Sequence, residues 1–261
     1  MAVAQSDCIL GDKQANLHNA ERLIYRAKKN RADIIVFPEA YLTGYLVRDK
    51  LDRLAETTNG ASVRHVCELA RKSDICVVMG FLELEDLCVY NACLVADRSG
   101  TLLGVQRKLH LCRDEKSYLE RGAETRVFET DLGKLGVMIC YDLYFPEHAR
   151  ILALQKVDFM ITCAADWKPW ATNSRIFAQA RALENQNFLV YCNRVGAEGK
   201  LQFYGKSCVV DPRGKVTADA GEDRPRLMLG TLDYSVASKF RNDIFYLSDR
   251  HPASYAALSR P

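Results

Sequence analysis

The chain has 261 residues, 48% of them apolar and 26% charged, which suits a globular fold whose core is large enough to need no covalent staples. Thirty-six basic side chains against 33 acidic leave a formal charge of +3, too small an excess for a nucleic-acid binder or a polybasic membrane clamp. No apolar run reaches the roughly 18 residues that a membrane span needs. In chain order, residues 2–6 are expected as a short buried strand and 17–29 as a helix with Leu17, Ala20, Ile24 and Ala27 on one face. A β-branched strand follows at 33–37, ending in Pro38, and then a helix at 62–72. Residues 75–81 and 89–96 read as strands, the second turning at Asp97-Arg98-Ser99-Gly100 into a strand at 102–107. The second half repeats this grammar with strands at 135–139, 159–162, 188–193, 205–210 and 227–233. Its helices are expected at 146–155, with Pro at the first turn, and at 172–185. Helices alternating with strands, together with hairpin joins at 97–100 and 211–214, point to a layered α/β domain with mixed sheets.

The ten cysteines need an explanation. A core of this size does not require a disulfide framework. The opening MAVAQSDCILGDKQ lacks the basic and apolar regions of a secretory leader. No Cys-x-x-Cys pair begins a zinc site. Reduced thiols used as small hydrophobes are therefore expected, in a cytoplasmic protein, with Cys76, Cys163, Cys192 and Cys208 as packing residues.

Three segments carry an apolar strand straight into a reactive polar residue, and such strand ends are where layered α/β proteins place ligand sites. IIVFPEAYLTGY delivers Glu39, and GVQRKLHLCRDEKSYLERG delivers Lys108 with Glu115 seven residues on. LGVMICYDLYFPEHAR delivers Cys140 at a strand-to-helix elbow, where neighbouring backbone N–H groups are expected to favour the thiolate.

Together these segments resemble the nitrilase (carbon–nitrogen hydrolase) superfamily, through FPEAYLTGY, RKLHL and GVMICYDLYFPE in that order. ARALENQNFLVYCNRVG and YGKSCVVDPRGKV resemble later family segments, so the likeness runs from the first strand to about Tyr255. The resemblance implies an αββα sandwich with mixed sheets and a single domain over 1–261. The tail at about 236–261 is expected to cross onto a partner in a homodimer or higher oligomer. It also implies a Glu39-Lys108-Cys140 triad: Cys140 attacks an amide carbonyl, Glu39 carries protons, and Lys108 with the Tyr141 backbone N–H holds the oxyanion. Glu115 is the expected second glutamate, with Glu120 and Glu124 as competitors, and Cys112 sits in the same loop. No metal or organic cofactor is implied. A histidine base remains an alternative, because His110 and His148 lie near these motifs.

Cys140-Tyr141-Asp142 resembles the amidase-type branches more than the Cys-Trp-Glu of nitrile-cleaving members. The expected activity is cysteine-dependent hydrolysis of a small linear amide to an acid and ammonia. Nitrile or N-carbamoyl hydrolysis and a non-catalytic acyl-binding subunit are the alternatives. Tyr144 stands where related enzymes for charged substrates often carry Arg or an acid, which favours a neutral or weakly polar amide over a dicarboxylic acid monoamide. Tyr141, Tyr144, Phe145 and Trp167 are the candidate pocket walls.

Overall fold

A computed structural model of the chain describes residues 1–169 and 171–259, the side chains at 171, 172 and 259 excepted. The first half carries β1 (Ala2–Gln5), helix α1 (Lys13–Lys29), β2 (Ile34–Val36), a single turn α2 (Leu51–Leu54), helix α3 (Ala61–Ser73), β3 (Cys76–Glu85), β4 (Cys88–Ala96) and β5 (Leu102–Arg107). The second half begins with β6 (Val127–Thr130), β7 (Gly133–Ile139), helix α4 (Pro146–Leu154), β8 (Phe159–Ala164), helix α5 (Ala171–Asn185) and β9 (Phe188–Asn193). A hairpin of β10 (Val195–Glu198) and β11 (Leu201–Tyr204) follows, then β12 (Cys208–Val210), β13 (Val216–Asp219), β14 (Arg226–Leu229) and helix α6 (Tyr234–Asp243).

Period-two alternation generates the layers. In β2 and β3, Ile35, Val77 and Met79 face α1 and α3, meeting Ala20, Ile24, Ala27, Val63, Val66 and Ala70. Ile34, Val36, Cys76 and Val78 point the other way, into a shared core with Val137, Ile161 and Cys192 of the second sheet. Ala149 and Leu152 of α4 and Ala178 and Ala182 of α5 join that cluster, and Leu152 packs directly against Gly136 of β7. The result is an αββα sandwich. One sheet has the order β14-β1-β2-β3-β4-β5 and the other β13-β12-β9-β8-β7-β6. In each, three central strands run parallel, β1-β2-β3 and β7-β8-β9, and the flanking pairs are antiparallel. The carboxyl ends of both parallel trios meet at one end of the sandwich, where the Ala165 N–H after β8 donates to Glu39 after β2 at 2.8 Å.

Several boundaries differ from the sequence expectation for identifiable reasons. Helix α1 starts four residues before Leu17, because the Asp12 carboxylate caps it by accepting from the Ala15 N–H. The strand expected at 205–210 shrinks to β12, and the β10–β11 hairpin turns at Gly199 (φ +54°) just before it. The strand at 227–233 ends at Leu229, and β6 and β13 are short edge strands. Helix α6 occupies the start of the expected crossing tail and docks on its own chain: Ala237 and Phe240 are buried, and Gln186 Nε2 donates to the Phe240 and Ile244 carbonyls. Phe245 and Tyr246 beyond it are exposed, and the last two residues of the tail lie outside the described residues. All ten cysteines are free thiols, and Cys76, Cys163, Cys192 and Cys208 are buried in the core. No described helix is long and apolar enough to cross a membrane.

Candidate active site

Glu39, Lys108, Glu115 and Cys140 come together at the carboxyl ends of the strands, all buried. Glu39 sits two residues beyond Phe37, whose N–H still donates to Val78 O, so the β-ladder holds its backbone. Its Oε1 accepts from Lys108 Nζ at 2.7 Å and from Asn91 Nδ2 at 2.8 Å, and Oε2 takes the Ala165 N–H. Lys108 directly follows β5 and also donates to both Glu115 oxygens, at 2.9 and 2.8 Å. Glu115 rides a 3₁₀ turn (Arg113–Ser117) and accepts from the Cys112 N–H at 2.7 Å and from Asn91 Nδ2 at 3.0 Å. Asn91 therefore joins both carboxylates. Its signal in the sequence is a lone amide in the otherwise apolar β4. Glu120 and Glu124 are exposed, the latter paired with Arg126.

Cys140 follows β7 at φ +46°, a left-handed conformation that a non-glycine residue holds only where its surroundings impose it. Asp142 is one of the constraints. Its Oδ2 accepts from the Ile139 N–H at 3.0 Å and its Oδ1 from the His110 N–H at 2.9 Å, with His110 Nδ1 at 2.8 Å. One carboxylate thereby ties the Lys108 segment to the Cys140 elbow. The thiol donates to Asp166 Oδ1 at 3.4 Å. Among the described residues, no histidine lies within hydrogen-bond distance of the Cys140 sulfur.

Burial raises the Glu39 pKa above the usual carboxylate value, against the pull of the Lys108 ammonium, and the neighbouring Glu115 adds to the rise. Burial also opposes the charge on Lys108, but Glu115 and Glu39 together hold its pKa well above the ordinary lysine value. The thiol departs from expectation. Burial first, then the Asp166 and Glu39 carboxylates, push the Cys140 pKa well above 9, outweighing Lys108 and the Ala165 backbone. Burial, and after it the two carboxylates, therefore favour the thiol over the thiolate, against the N–H groups of the following turns.

A cavity of about 520 Å³ opens above Cys140, lined by Cys112, Arg113, Lys116, Tyr141, Tyr144, Asp166, Trp167, Asn173 and Phe177. That volume suits a small molecule. Tyr141, Tyr144 and Trp167 stand on its wall. Phe145 does not, since its ring stacks on His110 at 3.7 Å and 6° and is held off the cavity. The Tyr144 hydroxyl pairs with Ser174 Oγ at 2.8 Å. Asp166, which the sequence did not single out, follows strand β8 as Glu39 and Cys140 follow theirs. A groove of about 620 Å³ at the other end of the strands, bounded by Met1, Arg31, Asp131 and Tyr234, holds none of the motif residues.

A family model described as carbon-nitrogen hydrolase matches residues 1–242. A probable nitrilase of Schizosaccharomyces pombe is 34% identical over 96% of this chain and 94% of its own length. The 2-oxoglutaramate amidase of Bacillus subtilis is 31% identical over 94% of this chain and 95% of its own. Among solved structures, Saccharomyces cerevisiae Nit3, a member of branch 10 of the nitrilase superfamily, superposes with a TM-score of 0.87 at 30% identity, covering 94% of this chain and 93% of that one. A carbon-nitrogen hydrolase from Helicobacter pylori G27 gives 0.93 at 25% identity, over 100% and 97% of the two chains. Sequence, fold and site geometry agree: the chain belongs to the carbon-nitrogen hydrolase family of the nitrilase superfamily.

Proposed function

We propose that the protein is a thiol-dependent amidase that converts a small amide to a carboxylic acid and ammonia. The observation that carries this is the buried Glu39–Lys108–Glu115 array beside Cys140, on the wall of a cavity sized for a small molecule. Cys140 Sγ attacks the amide carbon while its proton passes to Glu39. The surroundings of Cys140 favour the thiol over the thiolate, so proton removal accompanies attack, and a buried carboxylate of raised pKa suits that work. Lys108 and the Tyr141 N–H carry the oxyanion. The intermediate collapses by breaking the C–N bond, and Glu39 returns the proton to the departing ammonia. Water, deprotonated by Glu39, then attacks the thioester, releasing the acid and restoring the thiol. Glu115 and Asn91 hold Lys108 and Glu39 in register.

Nitrilases and amidases both stand among the similar proteins, and the amidases support an amide substrate. These amidases include an (R)-stereoselective amidase from Pseudomonas sp and the omega-amidase NIT3 of Saccharomyces cerevisiae. An amidase from Nesterenkonia sp. AN1 was solved in complex with acrylamide. The test is ammonia release from matched amides, nitriles and N-carbamoyl compounds. Turnover of amides that disappears in Cys140→Ala supports the proposal. Faster turnover of nitriles, or activity surviving in Cys140→Ala, overturns it. A homodimer is part of the same proposal, since Ile151, Leu154 and Ile176 on α4 and α5 are exposed together with Phe245 and Tyr246. Light scattering that finds a monomer at micromolar concentration refutes that part.

A further inference from the structure

Asp166 is a buried carboxylate, 5% exposed, and its two oxygens are treated differently. Oδ2 accepts from Ser174 Oγ at 2.7 Å and from the Tyr191 hydroxyl at 2.7 Å, with the Tyr204 hydroxyl at 3.4 Å. Its backbone is fixed as well, the N–H donating to Asn193 Oδ1 at 2.8 Å. Among the described residues, Oδ1 meets only the Cys140 thiol, at 3.4 Å, and the residue lines the cavity. Among the described residues, no Lys, Arg or His side chain forms an ion pair with it. A buried anion held by neutral hydroxyls alone is costly unless a cation completes it. Ser174 and Tyr191 donate to Oδ2 and hold the carboxyl group with Oδ1 facing Cys140 and the cavity, while the Tyr204 hydroxyl donates to Ser174 Oγ at 2.7 Å.

We infer that Asp166 selects an amide carrying a protonated amine on the carbon next to the scissile carbonyl. This rests on the amidase proposal above and names its substrate class. The reach is right. A carbonyl carbon poised for attack stands about 3–3.5 Å from the sulfur, the same separation as Asp166 Oδ1. A substituent on the adjoining carbon that is turned toward Asp166 meets that oxygen. Tyr141, Tyr144, Trp167 and Phe177 line the same cavity, and aromatic faces favour an ammonium group. The inner end of the site adds two carboxylates, Glu39 and Glu115, against the single ammonium of Lys108. Two cations, Arg113 and Lys116, stand at the mouth. Both are exposed, and Arg113 lies 5.8 Å from the Trp167 ring. Solvent screens these two exposed cations, whereas Asp166 is buried.

The test compares ammonia release from glycinamide, its uncharged isostere propionamide, and succinamate, whose carboxylate would answer to Arg113 and Lys116. At pH 7, kcat/KM for glycinamide should exceed that for propionamide by about tenfold or more, the worth of a charge-assisted hydrogen bond. The ratio should fall as the substrate amine deprotonates above about pH 8. In Asp166→Asn it should collapse toward one. The pH dependence is read on the unaltered enzyme, so the test survives if the variant does not fold. Propionamide turned over as well as glycinamide, succinamate as the best of the three, or a ratio preserved in Asp166→Asn overturns the inference while leaving the amidase intact. Absence of turnover with all three and with every other amide overturns the amidase proposal and this inference together.

Discussion

Replacing Gly80 with Ala should disable the site from a strand that contributes no side chain to it. Gly80 lies on β3, and its N–H donates to Pro38 O while its carbonyl accepts from the Leu42 N–H, each at 3.2 Å. These bonds pin the loop that presents Glu39. A Cβ at position 80 would stand 2.4 Å from both Pro38 O and Ala40 N and 2.7 Å from the Glu39 carbonyl carbon. Ordinary contact begins near 3.4 Å, so the backbone on both sides of Glu39 must retreat by about 1 Å. Backbone cannot swing aside as a side chain does, and Ala40 already holds φ +47°. Such overpacking costs about 1–3 kcal/mol of stability, a fall of roughly 2–10 °C in melting temperature for a chain of this size. A catalytic group misplaced by 1 Å costs about 100-fold in rate. Steady-state kinetics beside a thermal melt should show kcat down about 100-fold with the fold retained. Gly230→Ala is the control, since its Cβ meets only the Val209 side chain closely, at 2.9 Å; it should lose some stability and keep kcat. Normal kcat in Gly80→Ala would refute the reasoning, because it would mean that the position of Glu39 does not matter.

Lys108→Ala leaves Glu39 and Glu115 buried without their shared cation. It should cost about 3–5 kcal/mol of stability and at least about 100-fold in kcat, and a melting curve unchanged from the parent would contradict the electrostatic account. Alkylation of Cys140 by iodoacetamide, followed by peptide mass mapping, should still be accelerating at pH 9, since a raised thiol pKa keeps the thiolate scarce below it. A plateau by pH 7 would show the opposite environment, and Asp166→Asn should move the profile to lower pH by removing a negative neighbour. Asp142→Asn removes an acceptor from the bridge between the Lys108 and Cys140 segments. It should lower kcat far more than it changes KM, and equal effects on both would place the residue in substrate binding instead.

Much of the architecture was legible because alternation and helical spacing are local properties of the chain. The strands that deliver Glu39, Lys108 and Cys140 each announce themselves as apolar runs ending in a polar residue, and Glu115 follows at a recognisable offset. Asp166 obeys the same rule after β8, yet AADWKPW drew attention to Trp167 instead. Its significance lies in hydroxyls from Ser174, Tyr191 and Tyr204, which only the fold gathers. Asn91 was hidden for a similar reason, since a single amide in a strand gains meaning only from the two carboxylates above it. Phe145 and the ionisation of Cys140 were misjudged because ring orientation and desolvation depend on what packs around them. The β10–β11 hairpin was missed because four-residue strands around a turn are too short for periodicity to register.

The Glu39 loop hangs from one sheet and the Cys140 elbow from the other, and Val36, Val78, Cys93, Val137, Ile161 and Cys192 fill the space between those sheets. Cys192 touches both, its thiol meeting the Val36 carbonyl at 3.4 Å. The gap between proton carrier and nucleophile is therefore set as a caliper sets its jaws, by the thickness of the packing between two plates. Side chains with no place in the chemistry thereby acquire control over it. A methylene added or removed deep in this layer, far along the chain from either residue, opens or closes the jaws. The chain can tune its rate from the middle of the sandwich without altering a single atom that meets the substrate.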